Sequence, residues 1–295
     1  MKIKTSFLAV LVLLSPFFSL GQEPRYVVAT EIASRNPRAR DVVFHSKALD
    51  RDVHYRVLLP SHYEDGERFP VLYLLHGLYG DYLNWDTRTR LDNYAKDLPI
   101  LIVMPDAGDS WYTNSATVSA DKFEDYIVVD LISEIDGKYR TIADRHARAI
   151  AGLSMGGYGA IKFGLKYPEL FSFSGSLSGA FNAPQNLDEL RPDFRAKLLQ
   201  VYGKHGNPVR NENDVFEILK APRSEGIPYF YLACGTSDFF LSINRTFVDR
   251  LSSAKLAYEY HETPGGHTWE YWDGNLNALL IAVERIIGSA RTLPH

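Results

Sequence analysis

Eight short apolar runs, separated by helix-length segments, constrain the fold of this chain more than any other feature of its sequence. Most of these runs do not alternate between apolar and polar residues, which is typical of strands that are buried on both faces of a parallel sheet. Alternation of such strands with helices predicts an α/β fold, with a mostly parallel central sheet and helices on both of its faces. The predicted strands are residues 42–46, 53–59, 71–75, 100–104, 149–153, 171–176, 229–234 and 257–261.

Helical segments lie between these strands, with apolar residues at helical spacing in residues 123–138, 158–165 and 275–287. The segment 182–227 is longer than a simple crossover between two strands, and we expect extra helices there that cover the site as a cap or a side wall. The 295 residues suit one large α/β domain or two small ones, and no repeat, low-complexity tract or linker follows Gln22. We therefore predict a single domain over residues 22–295.

The N-terminus has the pattern of an export signal. Lys2 and Lys4 precede the almost wholly apolar run 7–18, and residues 19–21 form a small-residue cleavage site. The apolar run is shorter than the ~20 residues that span a bilayer. We predict that residues 1–21 are a signal peptide, and that the mature protein is secreted or periplasmic without a stable membrane anchor. An uncleaved anchor and a buried N-terminal helix are the alternatives.

Composition argues against several classes of partner. The formal net charge is -4, so there is no basic excess to attract nucleic acid, and we expect no nucleic-acid partner. The sequence contains no phosphate-binding loop, no dinucleotide fingerprint and no cluster of metal ligands, and we expect no cofactor and no metal. The single cysteine, Cys234, can form no internal disulfide, and its apolar neighbours indicate a small buried residue.

One motif between a strand and a helix indicates a specific chemistry. Residues 152–156 read Gly-Leu-Ser-Met-Gly, which matches G-x-S-x-G, directly after an apolar strand and at the start of a helix. In the α/β-hydrolase fold this sharp turn exposes the hydroxyl of a nucleophilic serine, here Ser154, and the next N–H, of Met155, faces the developing oxyanion. Side chains at the two flanking glycines would clash in so tight a turn. A glycine-rich turn without chemistry is the alternative.

A serine hydroxyl needs a base that takes its proton, and this fold has the order serine, acid, histidine. His267 follows a Pro-Gly-Gly loop after the last predicted strand, and we prefer it as the base over His205 and His261. Asp238 lies in the turn after the strand 229–234, where the acid that orients the imidazole is expected. The alternative for Asp238 is the N-cap of the helix that follows it.

The loop after the third strand should supply the second oxyanion donor, and we predict the N–H of Leu78 for this role. His76, two residues earlier, is expected to be a structural hydrogen-bonding residue. Aromatic residues gather just beyond the predicted strand ends, where ligands of open α/β sheets bind. Part of them should only pack the rim. The predicted substrate-binding residues, which suit acyl chains, phenolic acids or sugar rings, are Trp85, Trp111, Tyr112, Phe239 and Trp269.

Several short segments resemble a known family when they are taken together. They are His76-Gly77-Leu78, Asn84-Trp85, Met104-Pro105-Asp106, Ser110-Trp111-Tyr112-Thr113, the glycine-rich run 152–159 and Gly266-His267-Thr268-Trp269. Over residues 40–285 the chain resembles the esterase D family of α/β-hydrolases, which includes feruloyl esterases, S-formylglutathione hydrolases, mycolyltransferases and tributyrin-type acetyl esterases. It is most similar to the last of these branches. The resemblance implies the triad Ser154, Asp238 and His267.

These patterns predict an exported serine carboxylic-ester hydrolase that cleaves short-chain acyl, acetyl or feruloyl esters through an acyl-enzyme. The substrate would be a small-molecule ester or a carbohydrate ester. Three alternatives stay open at this point. The chain could transfer acyl groups to a sugar acceptor, it could be a non-catalytic carbohydrate-binding surface protein, or it could be a serine peptidase on the same fold.

Overall fold

A sheet of eight strands organises the protein in the computed structural model, which describes residues 36–185, 187, 190–220 and 226–292. The order across the sheet is β1-β2-β4-β3-β5-β6-β7-β8. β2 pairs antiparallel with both β1 and β4, and all remaining pairs are parallel. The strands are β1 (Ala39–Ser46), β2 (Arg51–Leu58), β3 (Val71–Leu75), β4 (Leu101–Pro105), β5 (Arg148–Leu153), β6 (Phe173–Leu177), β7 (Tyr229–Gly235) and β8 (Tyr258–Thr263).

The eight predicted strands are all confirmed, and the largest difference in their bounds, three residues, falls at the start of the edge strand β1. β1 begins at Ala39 rather than at residue 42, because its backbone pairs with β2 as far as Leu58. β8 extends to Thr263, which pairs with Gly235. Edge strands are exposed on one side, so their apolar pattern is weaker and pairing with the neighbouring strand sets their length.

The helices of the described residues are α1 (Asn84–Arg88), α2 (Leu91–Tyr94), α3 (Phe123–Asp125), α4 (Ile132–Lys138), α5 (Met155–Lys166), α6 (Pro192–Tyr202), α7 (Pro208–Glu212), α8 (Val215–Ile218), α9 (Leu241–Ser253) and α10 (Trp269–Ile287). A π-helical stretch, Tyr126–Leu131, joins α3 to α4, so the predicted helix 123–138 is confirmed. The helix predicted at 275–287 begins earlier, at Trp269, where Thr268 caps it by accepting a hydrogen bond from the Tyr271 N–H.

Two apolar layers cover the sheet, one on each face. Successive strand residues point to opposite faces. In β3, Tyr73 belongs to the layer that contains α5 and α9, whereas Leu72 and Leu74 belong to the layer that contains α10. Helices therefore cover both faces, as the alternation of strands and helices predicts.

The segment between β6 and β7 carries three helices, α6, α7 and α8, in its described part. Extra helices were expected there. The predicted signal peptide, residues 1–21, lies outside the described residues. Among the helices that the structure describes, none combines the length and apolar character needed to cross a membrane.

Candidate active site

Ser154 occupies a sharp turn between the end of β5 and the start of α5. Its backbone has φ 53° and ψ -114°, a conformation that costs an L-residue about 1–3 kcal/mol and persists only where the surroundings enforce it. A Cβ on Gly152 would lie 2.5 Å from the Gly156 carbonyl carbon, and a Cβ on Gly156 would lie 2.5 Å from the His76 oxygen. Both flanking glycines are therefore required by the close approach of backbone, as predicted from the motif.

A chain of hydrogen bonds connects three side chains at the carboxyl ends of the strands. His267 Nε2 lies 3.0 Å from Ser154 Oγ. On the other side of the ring, His267 Nδ1 lies 3.0 Å from Asp238 Oδ2 and 3.2 Å from Oδ1. The serine and the carboxylate are both buried, whereas the imidazole is partly exposed. The arrangement can move a proton from the hydroxyl to the imidazole, with the carboxylate fixing the tautomer.

Two loops lock together to bring Asp238 and His267 into contact. The Ser237 N–H in the loop after β7 donates to the Gly265 carbonyl in the loop after β8, at 2.8 Å. Gly265 has φ 141°, a backbone conformation that favours glycine, and a Cβ on Gly235 would collide with the Gly265 carbonyl. The Pro-Gly-Gly sequence before His267 thus allows the close passage of the two loops.

Asp238 accepts other hydrogen bonds besides the one from His267. Its Oδ1 also accepts the Phe240 N–H at 2.8 Å, so the carboxylate holds the turn before α9 as well as the imidazole. Burial alone would raise the pKa of Asp238, but the hydrogen bonds from His267, from the Phe240 N–H and from Ser178 outweigh it. The pKa of Asp238 is consequently below its usual value, and the group is a carboxylate at neutral pH.

Three aromatic rings surround the His267 imidazole. Phe239 lies 4.5 Å away and Phe240 lies 5.3 Å away, both measured between ring centroids, and Trp272 packs edge-on at 4.9 Å. The Trp272 indole N–H donates to Ser178 Oγ at 3.2 Å, which ties this ring to the residue that supports Asp238. Phe239 is 72% exposed, so it forms part of the mouth of the site.

The loop after β3 runs beside the serine turn. A Cβ on Gly77 would lie 3.5 Å from the Ser154 Cβ, which shows how closely the two backbones approach. Among the described residues, no acceptor is paired with the N–H of Leu78 or with that of Met155. Two unpaired N–H groups on backbones so close together can stabilise negative charge that develops on a carbonyl oxygen.

His76 has a structural role in this loop. The Ala107 N–H donates to His76 Nε2 at 3.0 Å, so the ring proton is assigned to Nδ1, which donates to the Gly77 oxygen at 2.8 Å. Burial lowers the pKa of His76 despite the hydrogen bond to Gly77 and the carboxylates of the neighbouring loops. The imidazole is therefore neutral, and it joins the loop after β3 to the loop after β4.

The predicted substrate-binding aromatic residues differ in how far their side chains are exposed. Phe239 is exposed beside His267, and Trp269 is partly exposed at the start of α10. Trp111 is 5% exposed and packs on Tyr158 and Phe194.

Trp85 and Tyr112 require a correction. Trp85 is 1% exposed and Tyr112 is 0% exposed. The Trp85 indole donates to the Leu75 oxygen at 3.0 Å, and the Tyr112 hydroxyl donates to the His76 oxygen at 2.9 Å. Neither ring offers a surface to substrate. Through these two hydrogen bonds they hold the end of β3 and the loop after it in place, and they do not contact a ligand.

Lys162 is the residue near the site that was not predicted. Its side chain is fully buried on α5, eight residues after the serine. Four oxygens lie within hydrogen-bonding distance of the ammonium nitrogen and share its three protons: the Tyr112 oxygen, Thr113 Oγ1 at 3.0 Å, Glu124 Oε2 at 2.9 Å and Asn213 Oδ1 at 3.1 Å. It thus joins α5, the loop after β4, α3 and the segment between β6 and β7. A lysine within an otherwise apolar and glycine-rich helix is the sequence signal that could have revealed it.

Glu124 is the counter-ion of the buried Lys162 ammonium, and Lys166 is a second cation beside the same carboxylate. Burial lowers the pKa of Lys162 to about 8, and the attraction of Glu124 offsets part of that effect. Burial would raise the pKa of Glu124, but the ammonium groups of Lys162 and Lys166 hold it at about 2. At pH 7 the ammonium and the carboxylate are therefore both charged.

We expect Lys162→Met to lower the free energy of unfolding by about 3 kcal/mol. The substitution leaves Glu124 buried with Lys166 as its remaining cation, and removal of one member of a buried ion pair typically costs about 3–5 kcal/mol. Urea titration of the purified variant measures the change. The double variant Lys162→Met/Glu124→Gln should recover at least half of the loss, because no uncompensated carboxylate remains. A loss below about 1 kcal/mol for Lys162→Met would mean that this pair does not hold the fold together.

Comparison with known proteins shows which family this chain resembles. Residues 46–283 match the family described as "Putative esterase". The chain is 34% identical over 277 aligned positions to Esterase Rv1288 of Mycobacterium tuberculosis, with 81% of this chain and 58% of that protein covered. It therefore spans little more than half the length of that relative. It is 27% identical over 246 positions to an acetyl esterase of Caldicellulosiruptor saccharolyticus, with 78% of this chain and 92% of that protein covered.

A solved structure extends the similarity to the three-dimensional fold. The fluorophosphonate-binding serine hydrolase FphF of Staphylococcus aureus superposes with a TM-score of 0.76 at 27% identity, covering 83% of this chain and 97% of its own. The predicted α/β-hydrolase fold is confirmed by this similarity and by the strand order. The resemblance to esterases that the sequence motifs suggested is also confirmed. This chain belongs to the esterase family.

Proposed function

We propose that this protein is a serine carboxylic-ester hydrolase in which Ser154 is the nucleophile, His267 the base and Asp238 the group that orients the base. The observation that carries the proposal is the continuous hydrogen-bonded chain from the carboxylate through the imidazole to the hydroxyl, with both of its best contacts at 3.0 Å. Membership of the esterase family supports the same reaction class.

The reaction proceeds in two steps. His267 Nε2 takes the Ser154 proton while Oγ bonds to the acyl carbon, and the N–H groups of Leu78 and Met155 hold the oxyanion. The imidazolium then gives its proton to the alcohol oxygen as the ester bond breaks, which leaves an acyl-enzyme. Water, deprotonated by the same imidazole, attacks the acyl carbon and releases the acid with restoration of the serine hydroxyl.

The acyl group is a short chain or an aromatic acid such as ferulate. Phe239 supports this choice, because its ring is exposed and lies 4.5 Å from the imidazole, where it can pack on an apolar acyl group. Trp269, at the start of α10, and Trp111, in the loop after β4, are the other aromatic candidates for contact with substrate. The name of the acetyl esterase relative agrees with a short acyl group.

The enzyme acts outside the cytoplasm. The proposal rests on the basic residues and apolar run within residues 1–21, which have the composition of an export signal. Detection of the mature N-terminus near residue 22 by mass spectrometry of the exported protein would support it. Recovery of the protein in the cytoplasmic fraction alone, with its N-terminus intact, would contradict it.

An ester panel tests the proposed function. Purified protein is assayed with p-nitrophenyl esters from acetyl to octanoyl and with methyl ferulate, and Ser154→Ala serves as the blank. We expect hydrolysis with the largest kcat/KM at acetyl or butyryl, or at ferulate, above the blank. Hydrolysis no faster than the blank across the whole panel would contradict the proposal.

A further inference from the structure

The turn directly after β6 holds the backbone of Ser154 on both sides. The Ser154 N–H donates to the Leu177 oxygen at 2.9 Å, and the Ala180 N–H donates to the Ser154 oxygen at 3.2 Å. Ser178 lies between these two contacts, and its own N–H donates to the Ala233 oxygen of β7 at 2.8 Å. The position of Ser178 is therefore fixed relative to the serine turn and to the end of β7.

Ser178 has a backbone conformation that favours glycine. Its φ is 54°, and the residue is fully buried. A serine in this conformation is strained, and residues of this kind cluster at functional sites. Glycine would adopt the turn without strain, but it would lack the hydroxyl that Ser178 places beside the triad.

The hydroxyl proton of Ser178 is directed to the Asp238 carboxylate. Its Oγ accepts the Trp272 indole N–H at 3.2 Å, so the oxygen uses a lone pair there and still has its proton to donate. Asp238 and Cys234 both lie within its hydrogen-bonding reach. Burial raises the pKa of Cys234 to about 12, so its sulfur is a neutral thiol and a weak acceptor. The carboxylate is the stronger acceptor, and the proton is assigned to it.

Three donors converge on the Asp238 carboxylate as a result. They are His267 Nδ1 at 3.0 Å, the Phe240 N–H at 2.8 Å and the Ser178 hydroxyl. Trp272, which donates to the same hydroxyl, packs edge-on against the His267 ring with the centroids 4.9 Å apart. The hydroxyl is thus held by a ring that also contacts the imidazole, and the carboxylate has little freedom to rotate.

We propose that Ser178 is a positioning residue of the triad, whose hydroxyl holds the Asp238 carboxylate in the orientation that the imidazole needs. Because Ser178 is fully buried, it acts through Asp238 and not through contact with the ester. It should therefore contribute to kcat and leave KM unchanged. The assignment rests on the hydrolase function proposed above and adds a residue to its mechanism.

Ser178→Ala tests this role, because alanine keeps the Cβ at the positive φ and removes only the hydroxyl. We expect kcat for p-nitrophenyl acetate to fall about tenfold with KM unchanged, as for loss of one hydrogen bond to a charged group. Ser174→Ala, which removes another buried hydroxyl from β6, is the control and should stay near the wild-type kcat.

A second background separates positioning from general support of the fold. Asp238→Ala has no carboxylate to hold, so the addition of Ser178→Ala should change its small residual kcat by less than about twofold. A merely structural role would lower kcat by the same factor in both backgrounds. If Ser178→Ala does not fold, Trp272→Phe takes its place, because it removes the indole N–H and keeps a ring beside the imidazole. It should lower kcat about threefold with KM unchanged.

The outcomes separate this inference from the proposed function. Wild-type kcat in Ser178→Ala, or in Trp272→Phe where that variant replaces it, would overturn the positioning role alone. So would a change confined to KM, an equal fall in Ser174→Ala, or an equal fall in the Asp238→Ala background. Absence of p-nitrophenyl acetate hydrolysis by the wild-type enzyme would overturn the hydrolase function and the positioning role with it.

Discussion

Ser154→Ala is expected to lower kcat for p-nitrophenyl acetate by at least about 10⁴-fold, because loss of the nucleophile of a catalytic triad removes the covalent route. The imidazole then has no hydroxyl to deprotonate, and what remains is the rate supported by binding and by the oxyanion donors. Alanine tolerates the turn about as well as serine, since both carry one Cβ at the positive φ. The melting temperature should stay near that of wild type, and kcat under saturating ester measures the effect.

A second buried serine provides the control for this substitution. Ser174, on the neighbouring strand β6, donates to the Ala160 oxygen at 2.9 Å and lies away from the imidazole. Ser174→Ala also removes a buried serine hydroxyl, and it should keep kcat within a few-fold of wild type. A Ser154→Ala enzyme that keeps more than a tenth of the wild-type kcat would rule out Ser154 as the nucleophile.

Asp238→Asn is expected to lower kcat by about 10⁴-fold at pH 7, the size of effect seen when an amide replaces the acid of such a triad. Because Oδ1 already accepts the Phe240 N–H, the amide should keep its oxygen there and turn its NH₂ toward His267 Nδ1. The imidazole would then carry its proton on Nε2, and a protonated Nε2 cannot accept the serine proton. The turn before α9 keeps its hydrogen bond, so folding should be preserved.

The pattern of kinetic change distinguishes this role from a merely structural one. Loss of orientation should appear in kcat, with KM for p-nitrophenyl acetate little changed, since Asp238 is buried away from bound ester. Asp249→Asn, on the exposed side of α9, is the matched control and should behave as wild type. Retention of more than a tenth of the wild-type kcat by Asp238→Asn would mean that another group orients the imidazole.

Much of the fold was predictable from the sequence, because a strand buried on both faces must be apolar along its whole length. β3, β4 and β5 are such strands, and all of their residues are buried. The early start of α10 was missed because Gly274 and Asp273 weaken the helical signal, whereas burial of Tyr271 and Trp272 holds that turn in place. Tertiary packing thus extended the helix beyond its local preference.

The candidate site, like the fold, could be predicted from the sequence only in part. Ser154 and its glycines form one local turn, which a short motif describes. His267 and Asp238 lie 113 and 84 residues further along the chain than Ser154, yet their position in loops after known strands was enough to select them. The burial of Tyr112 was not predictable, because it and Trp111 adopt φ values of 52° and 54°. Such values are uncommon in bulky residues, and they turn the Tyr112 ring into the core.

Covalent labelling tests the central claim most directly. The enzyme is incubated with a fluorophosphonate probe, digested, and its modified peptide is sequenced by mass spectrometry. The geometry predicts one phosphonylated residue, Ser154, with labelling slowed by several orders of magnitude in His267→Ala because the hydroxyl loses its base. Labelling at a different residue, or an enzyme that hydrolyses p-nitrophenyl acetate while Ser154 stays unmodified and the probe leaves its rate unchanged, would contradict the account.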